Sequence, residues 1–251
     1  MDLLIDLPDL EFLSVNTDPP SVAFINGLGS LRGLALSGFW KPELDFQKLP
    51  HLEWFASAET PRGGLDSLYR GHGTLRHLRV GRYRESDLLP LRNLPALEYL
   101  EVFVSRTLTS LSGADVLDGR LKALVLTNCP AIESLEGIEA LTYLEYLAID
   151  TCKRVADLAP VARLQRLKFL NIGLAGAVES LGPITGHPSL EVVYYGPIKD
   201  RNLDPLATIP HLRLTHSGGG RFNRPTSDFP RLQDLSDDSP LVQWVRSMQL
   251  G

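Results

Sequence analysis

The sequence repeats one apolar pattern, L-x-x-L-x-L, at intervals of 21 to 24 residues. Nine copies begin at Leu10, Leu31, Leu52, Leu75, Leu97, Leu121, Leu144, Leu167 and Leu190, and a weaker tenth begins at Leu212. Within each copy the last apolar positions alternate with polar ones, which is typical of a strand that buries one face. The segments between copies space their apolar residues by three, as in IESLEGIEAL at 132–141, and this favours a helical or 3-10 turn. One copy alone cannot bury its apolar face, so the pattern predicts that the copies stack into a single solenoid.

This period and motif resemble the leucine-rich repeat, and IESLEGIEAL resembles the convex side of the short-repeat bacterial internalin-like class. The resemblance implies an α/β fold, a right-handed leucine-rich-repeat solenoid. Its parallel sheet would form the concave face, and short helical or 3-10 segments would form the convex face. We therefore expect a solenoid of nine to ten repeats over residues 1–217 and a C-terminal extension over residues 218–251.

The C-terminal extension differs in composition from the repeats, with prolines and an acidic cluster before a predicted short helix. Ser239 is suited to cap the N-terminus of that helix. One face of the helix would carry Leu241, Trp244, Val245 and Met248. We expect this helix to cap the open end of the sheet, and the alternative is that it docks on a partner.

The two cysteines, Cys129 and Cys152, occupy the same position of successive copies, three residues after the last apolar residue of the motif. In the leucine-rich repeat this position turns inward, and it is usually Asn or Cys. The resemblance therefore implies buried, unreactive thiols rather than a disulfide or a metal site. The other copies hold a mixture of residues here, so we expect less regular loops: Asp18, Phe39, Thr60, Tyr83, Ser105, Ala175 and Ile198. The third copy places Ser57 where an aliphatic residue is expected, and this predicts an irregularity near residues 57–72.

The second position of the motif alternates acid and base along the whole array. It reads Glu11, Arg32, Glu53, Arg76, Glu98, Lys122, Glu145, Lys168, Glu191 and Arg213. In a parallel sheet each charge would lie about 4.8 Å from its neighbours of opposite sign. Such a ladder disfavours a slip by one repeat, because a slip would pair like charges. We therefore interpret the ladder as fixing the register of the repeats rather than as a surface that recognises a partner.

Composition and motifs argue against several functions. The chain has 43% hydrophobic and 22% charged residues and a formal charge of −5, which does not favour binding to nucleic acid. No apolar run is long enough for a membrane span and the N-terminus lacks the basic start of a secretory signal, so we expect a cytoplasmic protein. No catalytic, metal-binding or cofactor-binding motif is present, and we therefore expect no enzyme activity, no metal and no cofactor.

The concave face would be formed by the third, fifth and seventh positions of the motif, because these side chains point away from the buried leucines. Aromatic residues recur there beside charges of both signs, a composition typical of the residues that dominate protein interfaces. We therefore predict a protein partner, of unknown identity, on this face. The predicted binding residues are Trp54, His77, Arg79, Tyr99, Glu101, Phe103, Tyr146, Asp150, Phe169, Asn171 and Tyr194. The alternatives are a bacterial immunity or inhibitor protein and a binder of carbohydrate or another small ligand on the concave aromatics.

Overall fold

The computed structural model describes residues 9–173, 175–217 and 220–230. Across these residues ten strands form one sheet in sequence order, and every neighbouring pair is parallel. The strands are β1 (Phe12–Val15), β2 (Gly33–Phe39), β3 (Trp54–Glu59), β4 (His77–Gly81), β5 (Tyr99–Phe103), β6 (Ala123–Thr127), β7 (Tyr146–Asp150), β8 (Phe169–Ile172), β9 (Val192–Tyr195) and β10 (Leu214–Ser217). Each strand begins at the third position of a predicted copy. This is the predicted right-handed leucine-rich-repeat solenoid, with the parallel sheet on its concave side.

The interior core consists of the first, fourth and sixth positions of the motif together with the apolar residues of the return segments. In the sixth repeat these positions are Leu121, Leu124 and Leu126, and all three are buried. Because side chains alternate across a strand, the third and fifth positions point to the opposite, concave face.

The spacing of three predicted a helical or 3-10 turn in the return segments, and most repeats form a 3-10 turn there. In the sixth repeat the Ile138 N–H donates to the Leu135 carbonyl at 3.2 Å, and the Leu141 N–H donates to the Ile138 carbonyl at 2.8 Å. A 3-10 helix has three residues per turn, so apolar residues spaced by three lie on the one side that faces the core. The 3-10 turns are Ala23–Gly27, Phe46–Lys48, Leu89–Asn93, Ala114–Leu117, Ile138–Ala140, Ala159–Arg163, Gly182–Ile184 and Thr226–Asp228, and short α-helices are α1 (Asp66–Tyr69) and α2 (Asp204–Ala207).

The irregularity predicted near residues 57–72 is confirmed, and it begins in the preceding repeat. The β2–β3 register shifts by one residue between Leu36 and Phe39. Phe39 therefore projects outward, 60% exposed, and Trp40 takes the inward position instead. The expectation that Phe39 occupies that position is wrong, because the bulge adds one residue to the strand.

Trp40 contacts Ser57, the polar residue that replaces an aliphatic one in the third repeat. Its indole N–H donates to the Ser57 hydroxyl at 2.9 Å, and both side chains are buried. Its ring also lies against the loop that follows β3, where a Cβ on Gly64 would approach the ring within 2.9 Å. The serine that weakens the leucine pattern is thus satisfied by a side chain from the neighbouring repeat.

The turn after several strands places a non-glycine residue in the left-handed region. Arg82, Val104, Asn128 and Thr151 all have φ of 53–54° and all occupy the eighth position of their repeats. The N–H groups of Arg82, Val104 and Asn128 continue the ladder between repeats; for example, the Val104 N–H donates to the Thr127 carbonyl at 2.9 Å. A β-branched residue is strained in this region, so Val104 and Thr151 are held there by the stacked turns.

The charge ladder forms five of the nine predicted ion pairs, and Glu98 alone is paired with both of its neighbours. Glu98 bridges its two neighbours, with one carboxylate oxygen 2.6 Å from Arg76 Nη1 and the other 2.7 Å from Lys122 Nζ. The hydrogen bond from Lys122, helped by Arg76, lowers the pKa of the Glu98 carboxyl. Further ladder pairs are Arg32–Glu53, Lys168–Glu145 and Arg213–Glu191.

Residues 220–230 fold against the last repeat. Phe229 is buried in the interior core, and the Pro230 carbonyl accepts hydrogen bonds from the Thr215 N–H at 2.6 Å and the Thr215 hydroxyl at 3.0 Å. The Thr215 N–H lies on the free edge of β10, so this contact satisfies one of the edge donors. The predicted helix at Leu241, Trp244, Val245 and Met248 lies outside the described residues. The division at residue 218 therefore stays a prediction.

Candidate functional site on the concave sheet

The sheet register aligns the third position of every repeat into one row across the concave face. The row runs Phe12, Gly33, Trp54, His77, Tyr99, Ala123, Tyr146, Phe169, Val192 and Leu214. The fifth position forms a second row, in which Arg79 pairs with Glu101 and Asn171 pairs with Tyr194. The predicted binding residues therefore share one face. Eight of the eleven fall into two groups that differ in exposure: six lie in the first group, and Tyr146 and Phe169 lie in the second.

The first group, called here the N-terminal patch, contains six predicted residues on β3 to β5. They are Trp54, His77, Arg79, Tyr99, Glu101 and Phe103. His77 and Arg79 are exposed, whereas Trp54, Tyr99 and Phe103 are half-buried. Large apolar surface and charge are thus accessible side by side.

Glu101 is the centre of the N-terminal patch. Its carboxylate accepts a hydrogen bond from the Tyr99 hydroxyl at 3.0 Å and lies 3.0 Å from Arg79 Nε. The Arg79 guanidinium in turn lies over the Phe103 ring, 5.0 Å from its centroid. These contacts hold two aromatic rings and one cation in a fixed arrangement, which reduces the entropy lost on binding.

The electrostatics of the patch keep its two titratable rings neutral near pH 7. Burial, reinforced by the neighbouring Glu101 carboxylate, raises the pKa of the Tyr99 hydroxyl. Partial desolvation of the His77 imidazole lowers its pKa even though the residue as a whole is exposed, and Glu98 opposes the shift. The charge of the patch near pH 7 therefore comes from Arg79 and Glu101.

The second group, called here the C-terminal cluster, is apolar and buried. It consists of Ala123, Tyr146, Ala148, Phe169, Val192 and Leu214, all on the concave face and separate from the interior core. The Tyr146 and Phe169 rings stack with centroids 4.3 Å apart and an interplanar angle of 7°, and Tyr194 meets Phe169 edge-on at 5.3 Å. Burial, with smaller contributions from Tyr194 and Glu101, raises the pKa of Tyr146 to about 12.

Solved structures resemble this arrangement of strands and turns. An internalin, InlF, from Listeria monocytogenes superimposes with a TM-score of 0.70 at 21% identity over 89% of this chain. A leucine-rich-repeat protein from Leptospira interrogans gives 0.63 at 18% identity over 92% of the chain. This is the leucine-rich-repeat fold. An internalin C2 from Listeria monocytogenes gives a TM-score of 0.52 at 21% identity, over 84% of this chain and 82% of its own.

These likenesses concern the fold. The chain spans 65% of the InlF structure and 59% of the Leptospira structure. Neither a protein-family model nor a curated protein matches the sequence.

Two of the predicted polar residues direct their side chains to neighbouring groups of their own loops. Asp150 accepts a hydrogen bond from the Thr151 hydroxyl at 2.6 Å, and Asn171 accepts one from the Gly173 N–H at 2.9 Å. Both are half-buried at the ends of leucine-rich-repeat strands. Their position therefore suits the shaping of the strand ends as well as the predicted contact with a partner.

Sequence reasoning missed the glycines that lie beneath concave aromatic rings. A Cβ on Gly33 would lie 2.4 Å from the Phe12 ring, and one on Gly81 would lie 2.7 Å from the Phe103 ring. The alignment of the repeats could have identified these glycines, because it places each one in the same row of the sheet as its aromatic neighbour. These rings can therefore lie flat on the sheet.

The cysteines are free and buried, as predicted. The Cys129 thiol points to the carbonyls of Val102 and Thr127, both at 3.6 Å, and the Cys152 thiol points to the Asp150 carbonyl at 3.3 Å. The neighbouring Cys152 thiol and burial raise the pKa of Cys129, which keeps it protonated and unreactive. Among the described residues, His, Cys, Asp and Glu form no group suited to hold a metal ion, and no helix could cross a bilayer.

Proposed function

We propose that this leucine-rich-repeat protein is a non-enzymatic interaction module that binds a protein partner through the N-terminal patch of its concave sheet. The observation that carries the proposal is the Tyr99–Glu101–Arg79–Phe103 arrangement, in which hydrogen bonds and a cation–π contact fix accessible aromatic and charged groups. Tyr, Trp and Arg dominate the energy of protein interfaces. The cytoplasmic location and the lack of a nucleic-acid partner remain part of this proposal.

The fold does not require most side chains of the N-terminal patch. Trp54, His77, Arg79 and Phe103 belong neither to the interior core nor to the C-terminal cluster. Leucines and 3-10 turns account for the stacking of the repeats, so the patch is free to serve recognition. Its rigid backbone, one strand per repeat, would present the patch with little rearrangement.

Site-specific photo-crosslinking tests which face binds the partner. A benzoylphenylalanine at Ala56, on the concave side between Ala35 and Arg79, is expected to capture a protein in the cell of origin. The matched control places the crosslinker at exposed Val116, in a convex 3-10 turn, and is expected to capture nothing. Capture from Val116 alone would overturn the proposal.

Once the captured protein is purified, calorimetry measures the contribution of Tyr99. Tyr99→Ala is expected to weaken binding by about 2 kcal/mol, or about 30-fold in Kd, because an aromatic anchor is lost. Tyr99→Phe keeps the ring and removes only the hydroxyl that donates to Glu101, so it serves as the matched control and should lose less. An unchanged Kd for Tyr99→Ala, in a variant with a wild-type melting temperature, would contradict the proposal.

A further inference from the structure

Four exposed arginines lie in the loops that follow β3, β4 and β5, the same strands that carry the N-terminal patch. They are Arg62, Arg82, Arg84 and Arg106, and together they are called here the basic rim. The three loops, residues 60–65, 82–88 and 104–113, contain two acidic residues against these four arginines, although the whole chain has a formal charge of −5. The basic rim is therefore a local concentration of positive charge along one edge of the concave face.

Three of these arginines have no acidic partner within the chain. Among the described residues, Arg62, Arg84 and Arg106 take part in no ion pair. The carboxylate of Asp87, in the same loop as Arg84, instead accepts a hydrogen bond from the Leu89 N–H at 3.0 Å. The three guanidinium groups are therefore available to an anion from outside the chain.

The stacking of the repeats does not account for two of these charges. Gly81 pairs with Phe103 in the sheet, and the Arg82 N–H donates to the Phe103 carbonyl at 2.9 Å, so the alignment continues past the strand ends. Arg84 and Arg106 each lie three residues beyond that pair, at the same position of adjacent repeats. Like charges at equivalent positions of neighbouring strands repel each other, whereas the charge ladder alternates acid and base. The fold gains nothing from placing these two arginines side by side.

Exposed apolar side chains lie among the arginines. Phe39 is 60% exposed, and the Arg82 guanidinium lies 5.9 Å from the centroid of its ring and pairs with Glu59. Val104 is 41% exposed and directly follows Phe103 of the N-terminal patch. The basic rim is therefore continuous with the N-terminal patch and offers apolar contacts as well as charge.

We propose that the basic rim binds an acidic segment of the protein partner that the N-terminal patch recognises. All four cations of the rim are arginines, and a guanidinium binds a carboxylate through two parallel hydrogen bonds. The rim extends over two strand spacings, about 10 Å, a distance that about three residues of an extended chain cover. The assignment of the acidic segment to the partner rests on the proposed function, whereas the affinity of the rim for carboxylates does not.

The rim suits an acidic polypeptide better than a nucleic acid. A protein that binds nucleic acid commonly neutralises about six to ten phosphates, and the rim has four arginines on a chain of formal charge −5. An acidic polypeptide needs fewer ionic contacts, and its apolar side chains can also pack against Phe39 and Val104.

Binding of fluorescein-labelled poly-L-glutamate tests the rim without any partner. In about 50 mM salt, where surface charges are only partly screened, fluorescence anisotropy is expected to show binding to the wild-type chain. Arg84→Glu combined with Arg106→Glu is expected to weaken this binding by about tenfold or more. The matched control makes the same change in net charge at two exposed arginines of convex 3-10 turns, Arg92→Glu combined with Arg163→Glu, and should weaken binding far less.

No binding by the wild-type chain, or equal weakening in the control variant, would overturn the proposal. A single-stranded oligonucleotide that binds more tightly than poly-L-glutamate, and that also depends on Arg84 and Arg106, would assign the rim to nucleic acid instead. If the charge reversal lowers the melting temperature, Arg84→Gln combined with Arg106→Gln removes both charges without adding acids. This variant should still weaken the binding of poly-L-glutamate.

The protein captured at Ala56 tests the link between the rim and the N-terminal patch. Charge reversal at Arg84 and Arg106 is expected to raise the Kd for that protein by about tenfold in about 50 mM salt, and by less as the salt concentration rises. An unchanged Kd would refute the shared partner. Capture at Ala56 without binding of poly-L-glutamate would refute the rim and leave the proposed function standing.

Discussion

The contact between Trp40 and Ser57 makes the second and third repeats depend on each other. Trp40→Phe removes the indole N–H that donates to the Ser57 hydroxyl at 2.9 Å. The Ser57 hydroxyl is buried, and an unsatisfied buried hydroxyl costs about 1–3 kcal/mol. The smaller ring also leaves space beside Gly64, which adds about 1 kcal/mol through lost packing. We therefore expect the free energy of unfolding to fall by about 2–4 kcal/mol.

A double-mutant cycle separates the hydrogen bond from the packing. Ser57→Ala alone leaves the Trp40 N–H without an acceptor and is expected to cost about 1–3 kcal/mol. In the double variant neither group is left unsatisfied, so its cost should fall below the sum of the single costs by about 1–2 kcal/mol. Urea denaturation followed by circular dichroism measures each free energy, provided that the m-value is unchanged.

The matched control is a cycle that combines Ser57→Ala with Val104→Asn. Val104 lies two repeats from Ser57, so the coupling energy between these two substitutions should be less than about 0.5 kcal/mol. Additive costs for Trp40→Phe and Ser57→Ala would refute the reasoning, since they would show that the hydrogen bond contributes nothing measurable. The bulge in β2 would then need another explanation.

Three further predictions concern single positions and stability. Val104→Asn should raise the free energy of unfolding, measured by urea denaturation, by about 1 kcal/mol, because Asn tolerates the left-handed conformation that strains the exposed valine. A loss of stability would show that Val104 is not strained. Replacing Cys129 and Cys152 by Ser should lower the melting temperature modestly without changing partner affinity, and lost affinity in a folded variant would disprove inert thiols. Burial lowers the pKa of His72 and His187, so the stability that the neutral imidazoles contribute is fully present above their unfolded pKa of about 6.5 and should decline as the pH falls below it. Replacing both histidines by Gln should therefore flatten the decline in the free energy of unfolding between about pH 7.5 and 5.5. An unchanged slope would show that other groups cause the decline.

Much of the fold could be predicted from the sequence because the leucine spacing acts locally and repeats. The strand starts at Trp54, Tyr99 and Tyr146 each fall on the third position of a predicted copy. The spacing of three in Ile138 and Leu141 predicted a helical or 3-10 turn for the same reason, since both periods are properties of short segments.

The bulge could not be predicted from spacing, because it depends on a contact between repeats. Nothing near Phe39 marks an extra residue. The bulge turns Trp40 inward to donate to Ser57, which lies 17 residues from Trp40. The burial of the C-terminal cluster was missed for a related reason. Alternation assigns Phe169 to the concave face but does not say how closely neighbouring side chains such as Tyr146 pack against it.

The charge ladder shows which surface features the fold itself uses. Glu98 is paired with both Arg76 and Lys122, so these side chains already satisfy one another along the sheet. A slip by one repeat would place Glu98 beside Glu53 or Glu145, which explains why acid and base alternate even though each exposed pair stabilises by less than about 1 kcal/mol. The N-terminal patch has no such role in register, because its charges, Arg79 and Glu101, occur at one pair of neighbouring strands. A pattern that recurs in every repeat reflects the stacking of the repeats. The N-terminal patch occurs once, which is consistent with the proposal that it recognises a specific partner.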